Sequence, residues 1–396
     1  PPLSTDSGTG NFSVGYIILN LSLSNAISMV ILHIITSSRN WAGMEQYAFD
    51  LAKGLQARGY RSVFVVNNDG DVVHPRLEAA GKVYLCPLKS KFDPKSIRAL
   101  RKIIRREQPD IIHTHQPKNI FQAWFAKEKK MPIIHTLHFV IGPSSPRGLY
   151  QWIFGRAARI VAVSALAKQR ILELYPGLDA DRIIPIFNSA DPDRLQCAPA
   201  AEAETSARPE HEVSVPVIGY AGRLTPEKGI EVLLEAARLL KRDGKRFLLK
   251  IAGTGNETYV NALKAKAESD GLADTVVFEG FLPRIGGFLD GIDIGVLPTI
   301  VPEACSITVL EFMSAGKAIV ATDNGGPAEY LEHGIDGLLV PPSDPLRLRD
   351  ALARLLDDAP LRETAGRNAR TKFDNELSFG QFIERTRQVY LDCMPS

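Results

Sequence analysis

The chain has 396 residues, and at about 100–200 residues per domain this length predicts two domains. A formal net charge of +2 gives the chain no overall attraction to nucleic acid, so we expect no nucleic-acid partner and look for local charged patches instead. The four cysteines are scattered without a CxxC pair, which argues against disulfides and a zinc site and favours a reducing, cytoplasmic environment.

Residues 1–28 are predicted to be an extension outside the core fold. Positions 1–13 are polar and rich in Gly and Ser, whereas 14–35 is mildly apolar and about as long as a membrane span. Polar residues interrupt that stretch, no basic flank precedes it, and Met29 stands directly before a strand-like run at 30–35. The alternative interpretation of 14–35 is a weak signal anchor.

Short apolar runs then alternate with amphipathic helical stretches. The strand-like runs lie at 30–35, 61–66, 110–113, 132–136 and 159–163, and the helical stretches between them include 44–57 and 94–107. Strands that alternate with helices predict a parallel sheet covered on both faces, which is a doubly wound α/β architecture.

The alternation stops at 196–212, which is polar, rich in Ala, Glu and Pro and without periodicity, as is typical of an exposed linker. It resumes with strand-like runs at 217–221, 247–252, 275–278, 292–297 and 318–321, and with helical stretches at 229–242, 256–270, 307–315, 344–356 and 376–392. The sequence therefore predicts two Rossmann-like domains that face each other across a ligand-binding cleft. We place them at 29–195 and 216–375, joined by a linker at 196–215 and followed by a C-terminal helix within 376–396.

A glycine, Gly43, stands between the first strand and the helix that follows it. At such a turn a glycine lets backbone N–H groups approach an anion at the helix N-terminus. The residue alone is equally compatible with a tight turn that needs a glycine for its backbone geometry.

Two cations follow the strand at 217–221, in the segment Gly-Arg-Leu-Thr-Pro-Glu-Lys-Gly at 222–229. Arg223 and Lys228 would extend from the strand end toward the cleft, where two positive charges could neutralise a diphosphate leaving group without a metal ion. The alternative is a solvated surface loop with Pro226 at the first position of a helix.

Two carboxylates, Glu303 and Glu311, flank a predicted helix start near Ser306. At this spacing they can face one ligand at different heights, and their oxygens can accept hydrogen bonds from sugar hydroxyls. The helix start between them offers N–H groups and a positive dipole end to phosphate. The alternative is a capping glutamate followed by an ordinary helical glutamate.

Histidines at two strand ends, His113 with His115 and His135 with His138, raise the question of a metal site. An i, i+2 pair shares one strand face and could ligate a metal. No cluster of carboxylates or cysteines accompanies these histidines in the sequence. We therefore predict polar side chains that line the cleft, and no metal site.

Taken together, these segments resemble the group 1 glycosyltransferases (glycosyltransferase family four), which are retaining, nucleotide-sugar-dependent enzymes of the GT-B fold. The resemblance runs from about Met29 to the end of the chain and is strongest over 217–345. The matching residues and motifs are Gly43, His138, Gly222-Arg223-x4-Lys228-Gly229, Glu303-x7-Glu311, 323–329 and 334–344.

This resemblance implies a role for each matching residue. Arg223 and Lys228 would bind the donor pyrophosphate, Glu311 the ribose hydroxyls, and Glu303 the transferred sugar. His138 would contact that sugar near the reacting carbon. Four residues would complete the nucleotide-diphosphate site: Gly43, Gly253, Ser306 and Ile307. The C-terminal helix would pack back on the N-terminal domain.

Two departures from the family pattern leave the donor sugar open. Ala42 replaces one of two glycines in the first loop, and Ala304-Cys305-Ser306 replaces Gly-Phe-Gly after Glu303. A cysteine at a helix N-terminus is expected to have a lowered pKa. We hypothesise that Cys305 lines the donor site and that bound nucleotide sugar slows its alkylation.

The acceptor is expected to meet the N-terminal domain, where 89–106 is strongly basic. This stretch holds eight Lys and Arg residues, and helical spacing could place several of them on one face toward anionic lipid or a phosphorylated glycan. The segment 149–156 adds aromatic residues beside a basic one. The alternative is one solvated helix and one core helix.

The sequence thus predicts a metal-independent hexosyltransferase that uses a nucleotide-diphosphate sugar, with UDP sugars favoured. The expected acceptor is a cell-envelope glycan or a lipid-linked molecule of lipopolysaccharide or polysaccharide biosynthesis, met at the inner face of the cytoplasmic membrane. We expect no cofactor beyond the donor co-substrate. Two alternatives stay open: a nucleotide-sugar epimerase of GT-B fold, and a non-catalytic nucleotide-sugar-binding protein.

Overall fold

The structure, a computed structural model, describes residues 29–36, 41, 43–70, 72–128, 130–139, 146–197 and 215–394. The predicted extension at 1–28 and most of the predicted linker lie outside these residues, as does Ala42. Within the described ranges, no helix has both the length and the apolar character needed to cross a membrane.

The first part of the described chain, up to Pro185, forms one parallel sheet. Its strands are β1 (Val30–Ile35), β2 (Arg61–Asn67), β3 (Lys82–Cys86), β4 (Ile111–Thr114), β5 (Ile133–Leu137), β6 (Arg159–Ala162) and β7 (Ile183–Pro185). Their order across the sheet is β3-β2-β1-β4-β5-β6-β7, with parallel neighbours throughout. The strand order reverses between β1 and β4, and the crevice beyond the carboxyl ends of such strands is where ligands of this architecture bind.

Helices cover both faces of this sheet, and we call the sheet with its helices the first unit. The helices are α1 (Gly43–Gln56), α2 (His74–Leu77), α3 (Pro94–Glu107), α4 (Pro117–Ala126), α5 (Arg147–Phe154) and α6 (Ala165–Leu174). Local sequence explains where two of them begin. The Asp93 side chain accepts hydrogen bonds from backbone N–H groups in the first turn of α3, and the Ser164 side chain does the same for α6.

The second sheet has the same design. Its strands are β8 (Val217–Ala221), β9 (Leu248–Ala252), β10 (Val276–Gly280), β11 (Ile294–Leu297), β12 (Ala318–Thr322) and β13 (Leu338–Val340), in the order β10-β9-β8-β11-β12-β13. The helices of this second unit are α7 (Ile230–Arg242), α8 (Glu257–Ser269), α9 (Gly286–Asp290), α10 (Ile307–Ser314), α11 (Pro327–Tyr330), α12 (Pro345–Asp357) and α13 (Ala359–Lys372).

The predicted fold class, two doubly wound parallel sheets, is confirmed. Three strands were not predicted: β3, β7 and β13. Each lies at the edge of its sheet. β7 and β13 have only three residues, and the side chains of β3 are mostly exposed or half-buried, so none of the three shows the apolar run of a central strand. The residue numbers at which we divide the chain into domains remain a prediction.

The last helix, α14 (Phe379–Leu391), returns to the first unit and packs on α1. Phe382, Ile383 and Tyr390 join the apolar cluster that contains Ile31 of β1. Gly54 makes this close approach possible, because a Cβ added there would lie 2.3 Å from Cδ1 of Ile383. Helix α14 therefore completes the core of the first unit, although about 200 residues separate it from β7 in the sequence.

Replacing Ile383 by Ala should destabilise the first unit by about 2–4 kcal/mol, since it removes a fully buried aliphatic side chain and leaves a cavity. Leu391→Ala, on the same helix but with the side chain 37% exposed, is the matched control and should cost much less. The measurement is the thermal unfolding midpoint followed by circular dichroism. Equal midpoints for the two variants would show that α14 is not docked as described.

Candidate active site

A cavity of about 220 Å³ is lined by residues of both units at the carboxyl ends of the strands. Five residues predicted for the donor site line it: Gly43, Arg223, Gly253, Ile307 and Glu311. They belong to the starts of α1 and α10 and to the loops that follow β8 and β9. In a parallel sheet these strand ends share one edge, and the strand direction therefore brings the residues together.

Gly253 allows two of these loops to touch. Its φ of +139° lies in the region that favours glycine, and a Cβ there would lie 1.7 Å from the carbonyl oxygen of Gly222. The N–H of Gly222 in turn donates to the carbonyl of Ala252 at 3.0 Å. A larger residue at position 253 would push Gly222, and with it the neighbouring Arg223, out of place.

Glu311 is buried, with only 1% of its surface exposed. Its Oε1 accepts a hydrogen bond from Nε of Arg194 at 2.5 Å, whereas its Oε2 has no hydrogen-bond partner among the described residues. Burial raises the pKa of Glu311, and the positive charge of Arg194 opposes that rise. Arg194 therefore favours the ionised carboxylate.

Arg194 is a site residue that the sequence analysis missed. It follows β7, in the connection between the two sheets, and lines the same cavity as Glu311. In the sequence it stands beside Asp193 and close to Asp191, a pattern that is also typical of a solvated turn. Only the tertiary structure shows that its side chain reaches the second unit.

Lys228 and Glu303 form an ion pair through Nζ and Oε1, with side chains only 18% and 12% exposed. A backbone hydrogen bond joins their loops, since the N–H of Ile300 donates to the carbonyl of Glu227 at 3.0 Å. Burial and the nearby charge of Arg223 lower the pKa of Lys228 to about 8, and the negative charge of Glu227 opposes this shift. The residues predicted for pyrophosphate and for the transferred sugar thus lie in direct contact.

The start of α10 is capped by Ser306, whose Oγ accepts a hydrogen bond from the N–H of Val309 at 3.4 Å. The backbone N–H of Ser306 itself donates to the hydroxyl of Tyr330 at 3.3 Å. Ile307 and Thr308 line the cavity beside it. The donor-binding role of Ser306 stays a prediction, and in this structure its N–H is engaged by Tyr330.

The hypothesis of a lowered pKa for Cys305 is wrong. Burial raises the pKa of this thiol to about 12. Cys305 packs against the apolar cluster of the first unit that contains Tyr47 and Ile31, and this desolvation outweighs the helix N-terminus. Within the described residues, Cys305 is also outside the lining of the 220 Å³ cavity.

His138 lies after β5 and outside the lining of that cavity, as far as the described residues show. Its ring packs edge-on against Tyr47 of α1 at 4.8 Å between centroids. Its Nε2 lies 3.1 Å from Nδ1 of His115, whose Nε2 lies 3.2 Å from Nδ1 of His33. Burial lowers the pKa of both His138 and His33 to about 3, so these imidazoles are neutral near pH 7.

The nitrogen atoms of His33, His113 and His115 lie within 4.8 Å of one another, which would suit a shared metal ion. However, His113 already uses both ring nitrogens, one with the Tyr390 hydroxyl at 2.6 Å and one with the Thr136 hydroxyl at 2.7 Å. A metal would have to displace one of these partners. We therefore assign the cluster to the hydrogen-bonded core.

A second cavity, of about 630 Å³, lies between α6 and the segment 323–329. Glu329, part of a motif that contributes to the resemblance, accepts hydrogen bonds from the N–H groups of Ala165 and Leu166 at 2.7 Å each. A carboxylate at a helix N-terminus is favourably placed against the helix dipole. This contact ties the second unit to the first beside the loop that carries Glu303.

Comparisons with known proteins agree with this architecture. The family described as glycosyl transferases group 1 matches residues 202–372, and glycosyltransferase family 4 matches residues 41–194. A D-inositol 3-phosphate glycosyltransferase of Corynebacterium jeikeium is 30% identical over 318 residues, which are 72% of this chain and 73% of that protein. A phosphatidyl-myo-inositol mannosyltransferase of Mycobacterium leprae is 28% identical over 361 residues, 86% of this chain and 91% of that protein.

Among solved structures, HepE of Anabaena in complex with UDP and glucose matches with a TM-score of 0.77 at 20% identity, covering 92% of this chain and all of that one (100%). Two parallel α/β sheets that share a cavity at their carboxyl edges, in this arrangement, define a GT-B glycosyltransferase fold. The chain belongs to the group 1 glycosyltransferases, glycosyltransferase family 4. It is therefore an enzyme that transfers a sugar from a nucleotide sugar.

Cys305 should resist alkylation in the native protein, because a thiol with a pKa near 12 is almost entirely protonated at neutral pH. Iodoacetamide should label the exposed Cys197 well before Cys305, as measured by peptide mass spectrometry over time. In denaturant the alkylation rates of Cys197 and Cys305 should become similar, and this control shows that iodoacetamide reacts with both thiols once they are exposed. Fast native labelling of Cys305 that a nucleotide sugar blocks would contradict the burial described here.

Proposed function

We propose that the chain is a retaining hexosyltransferase that takes its sugar from a UDP sugar and transfers it to a cell-envelope glycan or lipid-linked acceptor. The proposed nucleotide donor is supported by the buried Oε2 of Glu311. This atom has no hydrogen-bond partner among the described residues, and the Glu311 side chain lines the cavity. Leaving a buried polar atom unsatisfied costs about 1–3 kcal/mol. A ribose hydroxyl in the cavity would supply the missing donor.

The nature of the donor is supported by the relatives. The solved structure of HepE holds UDP and glucose, and the relative from Mycobacterium leprae is a mannosyltransferase. Glucose and mannose are both hexoses. Both proteins therefore support a hexose as the sugar that we propose for this chain, and HepE alone supports UDP as its carrier.

The proposed reaction requires positive charge near the leaving group, where negative charge develops. When the bond between the anomeric carbon and the diphosphate breaks, negative charge grows on the phosphate oxygens, and Arg223, Lys228 and the start of α10 supply fixed positive potential there. Lys228 would exchange Glu303 for phosphate, and Glu303 could then accept a hydroxyl of the sugar. The acceptor hydroxyl attacks from the face that the phosphate leaves, and its proton passes to a leaving phosphate oxygen.

The first unit offers a surface for the acceptor or its membrane. Six cations of α3 are exposed: Lys95, Arg98, Arg101, Lys102, Arg105 and Arg106. Beside them lie exposed aromatic side chains of neighbouring segments, with Phe92 51%, Phe125 41% and Trp152 38% exposed. Cations next to exposed aromatic rings suit the headgroup region of an anionic bilayer, which favours a peripheral site at the inner face of the cytoplasmic membrane.

An acceptor-dependent nucleotide-release assay over uridine, guanosine and adenosine diphosphate sugars tests the donor and the reaction together. We expect release from a UDP-hexose only when an acceptor extract of cell-envelope glycan or glycolipid is present. Isomerised donor without acceptor would identify an epimerase, and donor binding without either reaction would identify a binding protein.

In the same assay Lys228→Ala and Glu311→Ala should each lose most activity, on the order of 100-fold, because each removes a charged contact to the donor. Lys241→Ala, which removes an exposed lysine of α7 paired with Asp274, is the matched control and should keep wild-type activity. Thermal midpoints must show that each variant is folded. Near-normal turnover in folded Lys228→Ala and Glu311→Ala would refute the site assignment.

Binding to anionic vesicles should depend on α3. Neutralising Arg98, Lys102 and Arg105 to Gln should weaken co-sedimentation with phosphatidylglycerol vesicles by about 100-fold, at about 1 kcal/mol per cation near the surface. The matched control neutralises three exposed arginines of the second unit, Arg347, Arg354 and Arg367, and should bind like wild type. Equal binding to neutral vesicles, or none to anionic ones, would count against this surface.

A further inference from the structure

Arg194 is held between the two units. Its side chain pairs with Glu311 of α10 and is 29% exposed. Its carbonyl accepts a hydrogen bond from the N–H of Ile285 at 2.9 Å, which fixes its backbone against the second unit. On the other side, the neighbouring Asp193 forms an ion pair with Lys53 of α1. The position of this guanidinium is therefore set by both halves of the enzyme.

The charges around the pair show what Arg194 does for Glu311. Asp191 and Asp50 are 8% and 3% exposed, and together with Glu311 they raise the pKa of Arg194. Asp191 also raises the pKa of Glu311, as burial does. Asp50 is itself held by Gln46, whose Nε2 donates to Oδ1 at 2.7 Å. Among the charges of the described residues that act on Glu311, Arg194 is thus the one that favours its ionised form.

The ionisation state and the orientation of the Glu311 carboxylate together decide which hydrogen bonds it can form. An ionised carboxylate accepts at both oxygens, whereas a protonated one turns one of them into a donor. With Oε1 engaged by Arg194, the lone pairs of Oε2 are left for a ligand. Removing the guanidinium would let the carboxylate rotate and become protonated in its buried setting.

The structure assigns Arg194 as a positioning residue for donor recognition, which holds Glu311 ionised and turned so that Oε2 accepts a ribose hydroxyl of the nucleotide. The assignment rests on the proposed function, since it takes Glu311 as the ribose-binding residue. It also extends that function, because ribose recognition then depends on the segment that joins the two units.

The test compares the binding of UDP with that of 2′,3′-dideoxy-UDP, which lacks both ribose hydroxyls, by isothermal titration calorimetry. The wild-type enzyme should prefer UDP by about 10- to 100-fold, as expected for a hydrogen bond to a charged group. Arg194→Gln should reduce this preference to about threefold or less. Arg194→Lys, which keeps a cation, should restore part of it, and Arg347→Gln on α12 should leave it unchanged.

The pH dependence provides a second readout that a purely structural role would not change. In Arg194→Gln the preference for UDP should recover as the pH is raised across the range over which the variant stays folded, because Arg194 no longer opposes the rise in the pKa of Glu311 that burial causes. The wild-type preference should stay nearly constant over that range. Glu311→Gln should lack the preference at every pH, and adding Arg194→Gln to it should not reduce the preference further.

The possible failures can be told apart. If Arg194→Gln weakens both ligands equally and keeps the wild-type preference, the positioning role of Arg194 is wrong while the donor site stands. If wild type binds UDP without preferring it over the dideoxy analogue, the ribose role of Glu311 is wrong, and the role of Arg194 with it. If wild type does not bind UDP at all, the proposed UDP donor itself is refuted.

Discussion

In each of the two sheets neighbouring strands run parallel, and this constraint places the loops that follow the strands at one edge. The loops after β8 and β9 meet there because Gly253 leaves room for the carbonyl of Gly222. The start of α10 arrives at the same edge and brings Glu311. Residues that are far apart in the sequence therefore line one cavity, whose place follows from strand direction.

Two ion pairs hold the charged side chains of the candidate site in place. Glu303 pairs with Lys228, and Glu311 pairs with Arg194. Burying an unpaired charge costs several kcal/mol, so each cation offsets the cost of burying the negative charge of its glutamate. The two pairs would respond differently to the proposed donor. A diphosphate would compete with Glu303 for Lys228, whereas a ribose would add to Glu311 without displacing Arg194.

The sequence pattern predicted the central strands well, because strands buried on both faces are continuous apolar runs. β1 and β8 lie at the predicted positions, 30–35 and 217–221. The edge strands β7 and β13 were not predicted because they have only three residues each, and β3 was not predicted because its side chains are mostly exposed or half-buried.

The residues of the candidate site could be predicted from the sequence where a motif directly follows the end of a predicted strand. Arg223 and Glu311 share a cavity as the spacing and the resemblance indicated. Arg194 was not predictable, because its role depends on a partner in another unit. The pKa of Cys305 was predicted in the wrong direction because the helix terminus was considered without the burial that opposes it. Burial of this kind depends on how the core packs, and it cannot be recognised from the neighbouring sequence.

The docking of α14 on α1 has a consequence for the synthesis of the chain. Ile31 and Tyr47 belong to segments that are translated long before their partners on α14. At about 5–20 residues per second, the roughly 200 residues between β7 and α14 take on the order of 10–40 s to produce. Throughout that interval the nascent first unit exposes an unfinished apolar face at the ribosome, which is the kind of surface that chaperones bind.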